Sequence, residues 1–198
     1  MSTVASKPGS VPKPRSRANF SQTKITGFAG RKAVLSPRRV VNDIRIVYRR
    51  ATGVDAYVRE IFSATPMAIV EIERQGVPGI FIKDLSKRMD LTASRIFHIL
   101  GVPKATAEKK AAAGELVTGR GGQAAVGMIK LLGLAQSIVE NSTAPQAKAF
   151  DAVRWLGQWI ERPQPSLGGR KPADLMDTPT GVELVARLLG SIESGAYQ

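Results

Sequence analysis

A hydroxyl side chain directly followed by proline recurs ahead of apolar runs in this chain, at Ser36-Pro37, Thr65-Pro66 and Thr178-Pro179. Ser and Thr accept hydrogen bonds from the unpaired N–H groups of a helix's first turn. Proline suits the first helical position, where its missing N–H costs nothing. Behind each pair, apolar residues fall at three- and four-residue spacing: Val40, Val41, Ile44, Val47 and Tyr48; then Met67, Ile69, Val70 and Ile72; then Val182, Val185, Leu188, Leu189 and Ile192. That period belongs to helices with one buried face. No alternating run bounded by hairpin turns competes with it, so no strands are expected and the fold class is all-α.

The same grammar divides the rest of the chain. Helices are expected over Asp55–Phe62, over Lys83–Met89, from a Thr92 cap to Leu100, over Lys104–Ala113 behind Pro103, and over Gln146–Ile160 behind Pro145. Gly119, Gly121 and Gly122 read as a break, with a long helix from about Gln123 to Glu140. A proline- and glycine-rich loop spans 162–171, and a short turn at Pro172–Met176 precedes the last helix, Thr180–Ile192. Residues 1–35 bear prolines and serines without apolar periodicity, which describes a flexible arm. The expected organisation is an arm at 1–35, a helical extension at 36–64, a helix-turn-helix domain at 65–140 and a helical unit at 141–198.

Charge is uneven along this order. Residues 1–50 carry 12 of the 29 Lys and Arg residues against Asp43 alone, while the remainder is nearly balanced within a net charge of +13. A basic arm on a near-neutral body suits nucleic-acid binding, because Lys and Arg displace counterions from phosphate. A solubilising tail and a transit peptide are the other readings, the latter lacking its amphipathic face. Cysteine is absent, which removes disulfides, thiolate nucleophiles and cysteine zinc sites. No apolar run approaches the roughly 18 residues that span a bilayer, so a soluble cytoplasmic protein without membrane contact is expected. His98, the one histidine, reads as a packed or surface residue; no metal or cofactor is expected and no catalytic group is assigned.

Two short helices meeting at Gly101 have the spacing of a helix-turn-helix, with Ile96, Leu100 and Val102 packing the pair. The second helix would offer Lys104, Thr106, Lys109 and Lys110 to the major groove and its phosphates. Thr92, Ser94 and Arg95 on the first would meet backbone phosphate. Five alanines in the second helix leave few side chains for reading base edges.

The last 49 residues are the most distinctive. They run through Ala152, Trp155-Leu156, Leu167-Gly168-Gly169, Pro172, Leu175, Thr178, Gly181, Val185, Leu188-Leu189, Ile192 and Gly195. That order resembles the toxin-binding domain of the Xre/MbcA/ParS antitoxin family. Residues from about 65 onward resemble, more loosely, the family's Xre-like helix-turn-helix through Leu91-Thr92, Leu100-Gly101, Thr106, Lys109-Lys110 and Gly114-Glu115-Leu116. One departure is Thr118-Gly119-Arg120-Gly121-Gly122, where the family has an acidic-serine-arginine helix start.

The resemblance implies a non-enzymatic antitoxin of a type II toxin–antitoxin system, whose cognate partner is an NAD-consuming toxin of the RES type or a related ADP-ribosyltransferase-like toxin. It implies toxin contacts from Trp155, Leu167, Gly168, Gly169, Arg187 and Ile192, and a tail of Gly195, Ala196, Tyr197 and Gln198 that enters the toxin's active site. Operator DNA is the second expected partner, bound by a homodimer or a larger toxin–antitoxin hetero-oligomer for autoregulation. A stand-alone helix-turn-helix regulator, whose C-terminal domain only dimerises, is the alternative. A basic structural or RNA-binding role is disfavoured, since the six phenylalanines form no stacking platform.

Overall fold

The computed structural model describes residues 46–193, and the helical reading holds across them. In order come α1 (Gly53–Phe62), α2 (Pro66–Gln75), α3 (Gly79–Arg88), α4 (Ala93–Ile99), α5 (Lys104–Ala113), α6 (Gly119–Glu140), α7 (Ala152–Trp159) and α8 (Pro179–Glu193). Short 3-10 turns occupy Pro145–Ala149, Pro165–Leu167 and Pro172–Leu175. The expected arm at 1–35 and the Ser36-Pro37 helix start lie outside the described residues. Val47 and Tyr48, assigned above to the end of that helix, stand in non-helical chain. Thr65 caps α2 as expected, its hydroxyl accepting from the Ala68 N–H at 3.3 Å.

Three departures from the sequence reading have physical causes. The glycines at 119–122 do not break the chain; they open α6. A Cβ on Gly122 would strike the Val117 carbonyl, and one on Gly121 would strike the Val102 side chain. Close approach of α6 to the preceding loop thus outweighs glycine's weak helix propensity. The expected Gln146–Ile160 helix is split instead. Phe150 is extended and the Asp151 carboxylate accepts from the Arg154 N–H at 3.1 Å, so a short polar side chain caps α7 where an uninterrupted helix would have run.

The third departure is a strand pair, β1 (Val77–Pro78) and β2 (Leu116–Val117), antiparallel with Val77 opposite Val117. Two residues per strand cannot show alternation, so no sequence pattern announces it. Lys110 Nζ donates to the Leu116 carbonyl at 2.7 Å, tying β2 back to α5.

The core forms around α6, which packs against α1, α2, α7 and α8. Ala125, Val126, Met128, Ile129, Leu131 and Leu132 of α6 are all fully buried. By length and composition α6 could cross a membrane, contrary to the expectation that no run is apolar enough. Yet 61% of its most apolar window is buried inside the fold, as befits a central core helix. Beside it, α3, α4 and α5 make a trio around Phe81, Leu85, Met89, Ile96, Phe97 and Leu100. Gly79 of α3 lies against the backbone of Ala111 in α5, an approach that small residues on both sides permit. The described residues all fall in one compact unit, and the expected boundaries at 64/65 and 140/141 lie within it.

Candidate functional site

Two regions hold the expected site residues, and they touch. The first is the α4–α5 pair. Leu100 ends α4, and Gly101 takes φ +63°, with Val102 N–H bonding the Phe97 carbonyl at 2.8 Å and Gly101 N–H bonding that of His98 at 3.0 Å. This double bond pattern ends a helix through a left-handed residue, the conformation for which glycine is suited. Pro103 then leads into α5. The connection is short and Val102 is buried, as the motif reading requires.

Ser94, Lys104, Thr106 and Lys109 are exposed on this pair. Lys104 lies 3.9 Å from Glu108 on its own helix. Thr92 is spent partly on structure, because its hydroxyl accepts from the Arg95 N–H at 3.2 Å and caps α4. Lys110 is half-buried and engaged with the Leu116 carbonyl. His98 is exposed, and among the described residues no group of acidic and histidine side chains could hold a metal ion.

Arg95 stands apart from the other expected phosphate contacts. Its Nε and Nη2 both donate to the Glu161 carboxylate, the latter at 3.0 Å, and Asp174 lies 3.9 Å from Nη2. Lys171 Nζ reaches the same carboxylate at 3.3 Å. The Arg95 hydrogen bond holds the Glu161 carboxyl below the usual glutamate range, against a smaller opposing effect of burial.

The second region is the C-terminal segment. Trp155 is half-buried and stacks on buried Trp159 with centroids 5.8 Å apart; exposed Phe150 lies 5.9 Å from Trp155 on the other side. Leu167 is half-buried at the end of a 3-10 turn. Gly168 and Gly169 follow at φ +64° and +79°, exposed and with open space where a Cβ would stand. Thr178 caps α8, accepting from the Gly181 N–H at 3.1 Å. Arg187 is exposed on α8, and Ile192 is half-buried near its end. Gly195, Ala196, Tyr197 and Gln198 lie outside the described residues.

Ion pairs also tie the C-terminal segment to the end of α3 and the α3–α4 turn, between partners 63 and 64 positions apart that the sequence did not suggest. Arg88 of α3 donates to Asp151 at 2.8 Å and also to Asp55 of α1 at 3.0 Å. Arg154 of α7 donates to Asp90 at 2.8 Å. Asp90 itself sits in the α3–α4 turn at φ +59°, among the described residues the one non-glycine with positive φ. Gly157 presses against the Met89 carbonyl, seating α7 across that same turn. An open cleft of about 780 Å³ runs between α2, the turn at Gly101, α6 and the start of α8. Glu73, Arg120, Lys130, Asp177 and Glu183 line it, so neither charge sign dominates.

Comparison with known proteins agrees with the C-terminal reading. Residues 148–195 match the family model of the antitoxin Xre/MbcA/ParS C-terminal toxin-binding domain. A Prs ADP-ribosylating antitoxin of Sphingobium sp. (strain YBL2) is 32% identical over 139 residues, covering 70% of this chain and 86% of the relative. The chain belongs to the Xre/MbcA/ParS antitoxin family. The matched segment contains Asp151, Arg154, Glu161 and Asp174, so in this family member the toxin-binding domain supplies an ion-pair partner to each of Arg88, Asp90 and Arg95.

Proposed function

We propose that this antitoxin neutralises a RES-type toxin that consumes NAD, by placing its C-terminal residues Gly195–Gln198 in the toxin's active site. The match of residues 148–195 to the toxin-binding domain carries the reading. The Sphingobium relative supports an NAD-using partner, because its name joins an antitoxin to ADP-ribosylation of Prs and an ADP-ribosyl group is drawn from NAD. In this reading α8 docks on the toxin through Arg187 and Ile192, while Trp155 and the Leu167–Gly169 loop complete the contact. Tyr197 supplies an aromatic plate, and Gln198 engages polar groups meant for the dinucleotide. The antitoxin itself is not an enzyme and works in the cytoplasm.

The same protein binds its operator through α4 and α5, as a homodimer or a larger complex with toxin, and thereby regulates its own operon. Exposure of Ser94, Lys104, Thr106 and Lys109 supports this half of the reading. The test is growth rescue. The adjacent gene is induced in a heterologous bacterium, alone and with this protein, while intracellular NAD is followed. Arrest with NAD loss, reversed by the full chain but not by a chain lacking Gly195–Gln198, is the expected result. Full rescue by the truncated chain, or a neighbour that neither harms the cell nor binds this protein, overturns it.

A further inference from the structure

Arg95 sits in the first turn of α4, three residues beyond the Thr92 cap and beside exposed Ser94, at the end of the helix that the DNA-binding reading turns toward phosphate. Its guanidinium is nevertheless occupied. Two of its nitrogens meet the two oxygens of Glu161, the planar bidentate arrangement that an arginine also makes with a phosphate. Glu161 follows α7 and lies in the toxin-binding segment, not in the trio that carries α4. The pair is only partly buried, with 29% of the Arg95 side chain and 24% of the Glu161 side chain exposed, so solvent and a ligand can reach the guanidinium.

We propose that Glu161 is an intramolecular stand-in for a DNA phosphate, competing with DNA for Arg95 so that the toxin-binding segment restrains the affinity of α4–α5 for DNA. The inference rests on the DNA-binding half of the proposed function. Lys171 makes the exchange feasible. It already contacts the Glu161 carboxylate at 3.3 Å, so when Arg95 turns to a phosphate the carboxylate keeps a cation and is not stranded. Asp174, 3.9 Å from Arg95, adds to the hold without closing a second bidentate pair.

The experiment measures binding of the full-length protein to two fluorescent duplexes across a salt series. One duplex carries the sequence upstream of this gene and the other a scrambled sequence of equal length. Glu161→Gln keeps the side-chain size and its hydrogen-bonding oxygen while removing the competing charge. One added phosphate contact steepens the log–log salt dependence by about 0.9 and raises affinity roughly 5–10-fold near 0.1 M salt. Both duplexes show it, since phosphate contacts are blind to sequence.

Glu161→Gln also removes one negative charge from the whole protein, which by itself favours DNA. The same change in an Arg95→Gln background separates the two effects. The gain vanishes there if Glu161 acts through Arg95, and persists if it is a general charge effect, which overturns the proposal. An unchanged or shallower salt slope for Glu161→Gln, with an unchanged melting point, overturns it as well. Should the substitution lower the melting point, Glu161→Asp provides the second variant: a shorter carboxylate holds Arg95 less well and moves affinity in the same direction by less. Wild-type binding that Lys104→Gln and Lys109→Gln abolish, alongside a neutral Glu161→Gln, leaves the DNA-binding reading standing and removes this one. Absence of DNA binding by every form removes both.

Discussion

Adding one methyl group to either of two helix glycines should move stability in opposite directions. Gly190 in α8 has nothing within 4 Å of where its Cβ would stand, so Gly190→Ala gains only the helix propensity difference, about 0.8–1 kcal/mol. Gly157 in α7 gains the same propensity term, but its Cβ would press on the carbonyl and Cβ of Met89. Backbone in a packed turn yields less readily than the end of a flexible side chain, and overpacking of this kind costs about 1–3 kcal/mol. The propensity term cancels between the variants, so their difference isolates the overpacking: Gly157→Ala should be about 1–3 kcal/mol less stable than Gly190→Ala. For a body of this size each kcal/mol shifts the melting temperature by roughly 2–4 °C. Thermal and urea unfolding followed by far-ultraviolet circular dichroism reads both. If Gly157→Ala is as stable as Gly190→Ala, α7 is not seated on the α3–α4 turn as described.

Other outcomes follow from the same contacts. Thr178→Ala removes the hydroxyl that caps α8 and should cost about 1 kcal/mol, read as a lowered urea midpoint with an unchanged slope. Because hydrogen bonding to Arg95 depresses the Glu161 carboxyl in the folded state, its stabilising contribution is complete above the ordinary glutamate range and is lost as pH falls through the depressed value. Urea midpoints measured from neutrality down to about pH 3 should therefore fall less steeply for Glu161→Gln than for the parent. Removing residues 141–198 strips away Val153, Leu156, Trp159, Ile160, Met176, Val185, Leu188 and Leu189. At about 1.5–3 kcal/mol each their burial matches or exceeds the roughly 5–15 kcal/mol net stability of a typical domain. The remainder should lose cooperative melting, and a sharp transition would show that α1–α6 stand alone.

What the sequence made legible was whatever is local. Thr65, Thr92 and Thr178 sit immediately before the helices they cap, and the apolar spacing of Val182, Val185, Leu188 and Leu189 needs only one helix to be read. The order of motifs from Trp155 to Gly195 likewise runs along a single stretch, and the family match covers all of it. What escaped was set by distant neighbours. Gly121 and Gly122 look like breakers until Val102 and Val117 are seen to lie against them. Arg95 looks like a solvent-facing cation, and nothing within several residues of it names Glu161 as its partner. Asp151 interrupts an apolar run that would otherwise read as one helix, because its carboxylate competes for the backbone N–H of Arg154.

The shared core helix has a bearing on how long this protein lasts in a cell. Cellular proteases cut chains where they open locally, and segments that open together are lost together. Because α6 is covered on different sides by α1, α2, α7 and α8, no cut through it can release one half of the molecule in working order. A chain that opens enough to be nicked there gives up its hold on a toxin and its α4–α5 surface at the same moment. A nick within α6 therefore removes both surfaces together.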